Sequence, residues 1–141
     1  MHFSPSPARR AALAAALAAG ALALAGCAAL QPQTAEQVVA ERAEARWAAL
    51  IAGDPDIAWE YTQPGYRAVV TKKQYSRRFG GAGQWTGAQI HGVTCQAERC
   101  TVKVRLTSRV LVPKFMGKEI TGFFDETWVR EDGQWWYFQA L

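Results

Sequence analysis

Cys27, Cys95 and Cys100 are the three thiols of this 141-residue chain, and their neighbourhoods differ. Cys27 closes an uncharged apolar run. Cys95 and Cys100 bracket the tetrapeptide Gln96-Ala97-Glu98-Arg99. If a hairpin closes across that loop, the two thiols oppose each other at disulfide distance. So small a ring stabilises by about 2 kcal/mol on the chain-entropy estimate. Two free thiols are the alternative, and a zinc site is weaker because no further cysteine or histidine cluster accompanies the pair. The same hairpin sets a register in which Val93 faces Val102, His91 faces Val104 and Gln89 faces Leu106. His91 and Gln89 would then lie on an apolar, inward face as candidate cavity groups. A one-residue bulge would put Ile90 there instead. Tyr61, Tyr66 and one of Asp125 or Glu126 could meet His91 in the interior. Asp125 and Glu126 are adjacent, so a strand sends them to opposite faces and they cannot act as a pair on one substrate. No nucleophile elbow, phosphate-binding glycine loop or metal-ligand spacing is present. No catalytic residue, metal ligand or cofactor is therefore assigned.

The segment before Cys27 decides where such groups would work. Arg9 and Arg10 precede a 15-residue run of small apolar residues, Ala11 to Ala25, without a charge. Positive, then apolar, then small is the anatomy of a secretory signal. A hydrocarbon core needs about 20 helical residues, so a transmembrane anchor is the weaker reading. Leu24-Ala25-Gly26-Cys27 resembles the lipobox of bacterial lipoproteins. That resemblance implies cleavage of residues 1–26, lipid (including palmitate) on Cys27, and a cell-envelope location. Ala28 after the cysteine, by the same family's sorting pattern, implies the outer membrane facing the periplasm. Residues 27–34 would be a short lipidated tether.

Loss of Arg9 and Arg10 takes the formal charge from +4 to +2 and leaves 115 residues, one domain's worth of chain. Dispersed basic residues and an exported address exclude nucleic acid as a partner. Export also favours pairing of Cys95 with Cys100 in an oxidising compartment.

The elements that must position these residues fall in two blocks. Thr34-Ala35-Glu36-Gln37 reads as a capping box opening a helix, with Val39, Ala43, Trp47 and Leu50 on one face. Gly53 ends it, and Asp54-Pro55 starts a short second helix that Pro64-Gly65 stops. Thr71 to Gln74 is a second capping box, opening a third short helix. Its Lys72, Lys73, Arg77 and Arg78 could meet anionic headgroups. From Trp85 the period becomes two. Strands are expected at Trp85–Cys95, Cys100–Val112, Ile120–Arg130 and Gln134–Leu141, the last pair joined at Asp132-Gly133. Helices followed by hairpins mean an α+β domain on an antiparallel sheet. The Trp47 helix, the Gly53-Asp54 break, Trp59, Tyr66-Arg67 and the Asp132-Gly133-Gln134-Trp135 hairpin resemble the nuclear transport factor-like fold, shared with ketosteroid isomerases. The resemblance implies a cystatin-like cone over residues 35–141: helices packed on a curved four-stranded sheet.

In the last hairpin, Arg130 opposes Trp135, Val129 opposes Trp136 and Trp128 opposes Tyr137. Both faces carry large aromatics. Trp128, Arg130, Trp135 and Tyr137 share one of them and are the candidate binding surface. The expectation is a membrane-anchored envelope lipoprotein that binds rather than catalyses. Its candidate partners are an envelope protein, a glycan or a small apolar ligand, with a homodimer as a further option. A small isomerase- or hydratase-type enzyme using the cone interior is the alternative.

Overall fold

A computed structural model describes residues 32–80 and 84–141. The expected signal, Cys27 and most of the tether lie outside the described residues. Contacts group Thr34–Leu141 into one unit.

Helix α1 spans Ala35–Ile51. Thr34 caps it as a full capping box: its side chain accepts from the Gln37 N–H while the Gln37 side chain accepts from the Thr34 N–H. Gly53, at φ 82°, takes the left-handed turn that ends the helix. Helix α2, Pro55–Trp59, has Pro55 in its first turn, where a missing N–H costs nothing. Helix α3, Pro64–Val69, again starts on proline. Pro64-Gly65 therefore opens a helix as well as stopping one. Helix α4, Lys72–Ser76, has the second capping box, Thr71 with Gln74, and runs into a 3-10 turn at Arg77–Phe79.

Strands β1 (Trp85–Gln96), β2 (Arg99–Arg109), β3 (Glu119–Glu131) and β4 (Gln134–Tyr137) form one sheet in chain order, every pair antiparallel. The fold is α+β, with helices on one face of an open four-stranded sheet. Tyr137 adds a parallel bridge to Thr62, which ties the link between α2 and α3 to the β4 edge. No helix among the described residues is long and apolar enough to cross a membrane.

Two registers match the sequence expectation where the turn is close. Cys95 pairs with Cys100 and Val93 with Val102. Trp128 pairs with Tyr137, Val129 with Trp136 and Arg130 with Trp135. Further along β1 the register slips between Ile90 and Gly92. Ile90 then faces Val104, Ala88 faces Leu106 and Gln89 faces Arg105. His91 is the extra residue of a bulge, which keeps Ile90 turned toward α1.

The core sits between α1 and the inward face of the sheet. Val39, Ala43, Trp47 and Leu50 meet Val102, Val104, Trp128 and Trp135 there, with Tyr66 and Tyr75 from the short helices. Helix α1 makes most of its sheet contact with β1 and less with β2 and β4.

Candidate functional site

Arg46 lies on the buried side of α1, and Glu126 lies on the inward side of β3. Arg46 Nη1 donates to Glu126 Oε1 at 2.8 Å, and each side chain is only 3% exposed. Trp47 Nε1–H donates to the same oxygen at 3.0 Å, and Trp128 Nε1–H to Oε2 at 3.4 Å. Arg46 Nη2 donates to Tyr75 Oη at 3.2 Å. The guanidinium stacks on the Tyr137 ring, 3.7 Å from its centroid. A buried ion pair is tolerated only when its remaining donors and acceptors are met, and here most are. Arg46 Nε is not: it and, outside the pair, the buried Tyr66 Oη have no hydrogen-bond partner among the described residues.

Burial pushes the Glu126 carboxyl above its ordinary value, against the pull of Arg46 and the two indole donors. Burial likewise disfavours charge on Arg46, but Glu126 and the tyrosines outweigh it and hold the guanidinium protonated. Burial also raises the phenols of Tyr75 and Tyr137, with Arg46 opposing. These perturbed groups face each other in a sealed interior, not a solvent-filled site.

The open space lies elsewhere. A cleft of about 400 Å³ runs between α1 and β1, walled by Trp47, Ala48, Ile51, Gly87, Ala88 and Ile90 with Glu44 on its rim. A shallower space of about 290 Å³ shares Glu44 and Ile90 and continues to Val93. Together they form a groove along the free edge of β1, apolar beside Trp47 and polar at its other end, where Glu36, Gln37 and His91 reach its lip.

The sequence-selected residues fall in different places. Cys95 and Cys100 form a disulfide, with Cα atoms 4.0 Å apart. His91 and Gln89 are exposed on the outer face, not in the interior, because the bulge reverses their side. His91 packs on Phe123, and Gln89 accepts from Arg105. Tyr66 is buried beside Tyr75, and Tyr61 is half-buried under the Arg42 guanidinium. Of the four candidate surface residues, Trp128 and Trp135 are core and Tyr137 is partly buried against it. The helices cover that face, so it is no binding surface. Arg130 alone is exposed, near Glu98 at 3.9 Å.

The other aromatic face is softened by cations. Lys72 and Arg67 flank Trp59 at 5.2 and 5.5 Å. Arg67 and Arg42 flank Trp136 at 4.7 and 5.2 Å. This alternating stack ties α1, α2, α3 and α4 to the β4 edge. Lys72 of the basic helix also pairs with Glu60.

Sequence reasoning missed Arg46, and reached Glu126 only as an alternative to Asp125 beside His91. The signal was present: 39, 43, 46 and 50 follow helical spacing, which puts Arg46 on the apolar stripe. Among the described residues, no group of three or more histidine, cysteine or acidic side chains could hold a metal ion.

No protein-family model and no curated protein matches the chain. Solved structures do resemble it. A SEC-C motif containing protein from Rhodopseudomonas palustris aligns with TM-score 0.50 and 20% identity, over 67% of this chain and 70% of that one. A protein described as an NTF2-like transpeptidase from Campylobacter jejuni aligns with TM-score 0.48 and 13% identity, over 71% and 96%. A protein described as a calcium/calmodulin dependent protein kinase II association domain from Xanthomonas campestris gives 0.48 and 14%, over 70% and 79%. At such identity the first likeness speaks to fold alone, and a fold hosts many functions.

Proposed function

We propose that the chain is a membrane-tethered envelope lipoprotein whose domain, residues 35–141, is a non-catalytic binding module of nuclear transport factor-like fold. Its ligand is a small apolar molecule held in the cleft between α1 and β1. The signal anatomy of residues 9–27 supports the address. The sealed Arg46–Glu126 pair carries the non-catalytic reading. Arg46 and Glu126 are closed to solvent, while the accessible cleft offers apolar walls and one rim carboxylate.

The test uses residues 27–141 and a fluorescent naphthylamine probe. Saturable binding is expected, weakened about tenfold by A48W, which places an indole in the cleft from an exposed helix position. Equal affinity in the variant would sink the cleft assignment. A small isomerase- or hydratase-type enzyme is a second reading, favoured by the unpartnered Tyr66 Oη and Arg46 Nε. Proton exchange of a simple ketone in D₂O, abolished by Y66F, would favour it.

A further inference from the structure

The turn between β2 and β3 is apolar and exposed. Leu111 and Val112 are each 56% exposed and Met116 70%, and Ile120 at the start of β3 is 62% exposed. The backbone of the turn is nonetheless closed: the Val110 N–H donates to the Lys118 carbonyl at 2.8 Å, and Gly117 takes φ 84°. Arg109, Lys114 and Lys118 flank these side chains, against one acid, Glu119. Arg77 and Arg78 lie toward the same end of the sheet, since Phe79 meets Trp85 at 6.0 Å and Trp85 pairs with Ser108. Asp54 and Asp56 follow the C-terminal end of α1, and Asp56 accepts from Ser76.

We propose that this turn inserts its apolar side chains into the interface of an anionic lipid bilayer, with Arg109, Lys114 and Lys118 against the headgroups. A protein partner would need a concave pocket matched to a convex tip, whereas a bilayer interface is deformable. Buried apolar area and attraction to anionic lipid add in such binding. The tip is separate from the cleft between α1 and β1, so either proposal can fail without the other. It also lies at the far end of α1 from Thr34, since Ile51 and Ala52 border Gly87 and Ala88 whereas Glu36 and Gln37 border Val93. A lipid tether on Cys27 and the inserted turn therefore reach one bilayer with α1 lying along its surface.

The full chain carrying M116W, labelled with 5-fluorotryptophan, adds one ¹⁹F resonance at the tip. The readout is local, so binding by other segments does not mimic it. With vesicles of phosphatidylglycerol and phosphatidylcholine containing nitroxide lipid, that resonance is expected to broaden beyond those of the six native tryptophans. K114Q/K118Q is expected to lower partitioning of the tip about thirtyfold, at about 1 kcal/mol for each basic residue lost. An added resonance that nitroxide lipid leaves sharp overturns the proposal and points to a protein partner for the tip. V112W carries the same reporter should M116W fail to fold.

Discussion

Glu126 is a single carboxylate asked to satisfy a guanidinium and two indoles inside the domain. Removing the carboxyl group leaves three buried donors without an acceptor. E126A is therefore expected to destabilise by about 3 kcal/mol, and R46M/E126A to recover part of that loss, in denaturant melts. The pH dependence has a definite sign. Burial raises the Glu126 pKa in the folded chain, so the folded chain keeps that proton to higher pH than the unfolded chain. Its contribution is full below the ordinary carboxylate range and is lost as pH rises through the folded pKa. Relative to E126Q, wild-type stability should fall on going from about pH 4 to neutrality, above the unfolded carboxylate value. A relative rise in thermal melts would contradict the assignment. Half of this pair was legible. The alternation of β3 put Glu126 on a face with Trp128, but nothing local says which face the helices cover, and a charged residue in a helix reads first as solvated.

At the scale of elements, local signals carried far. Both capping boxes, the Gly53 stop and the Asp132-Gly133 turn depend on neighbours within four residues, and each is present in the structure. Helix α3 was hidden because Pro64-Gly65 signals a break as strongly as a start. The bulge was hidden for a different reason. Ile90 lines the cleft against α1, a requirement set by a helix some 40 residues away. Deleting His91 is expected to restore a regular ladder, with Ile90 still opposite Val104. Stability should change by less than about 1 kcal/mol, since only an exposed extra residue is lost. Cross-strand proton contacts between Ala88 and Leu106 would check it; their replacement by a Gln89–Leu106 pairing would show that the bulge is not the device that sets the register.

For the molecule as a whole, the class of fold was readable from helices followed by hairpins, and the choice of sheet face was not. Both faces of the last hairpin carry large aromatics, and only tertiary packing puts Trp128 and Trp135 inside and leaves Trp136 under Arg42 and Arg67. The proposed address is tested at Cys27. C27A is expected to lose labelling by an alkyne palmitate analogue and to leave the membrane fraction, since one apolar tip holds a domain only reversibly. Labelling that persists in C27A would remove the lipobox reading.

Because β1 to β4 follow one another in the sheet as in the chain, their pairings close turns of two, nine and two residues. Arg46 and Glu126 are 80 residues apart. Loop closure costs more with length, so hairpins can zip from the C-terminal half before α1 docks. The buried pair then acts as a latch made after the folding barrier. Its loss should quicken unfolding while leaving the folding rate nearly unchanged.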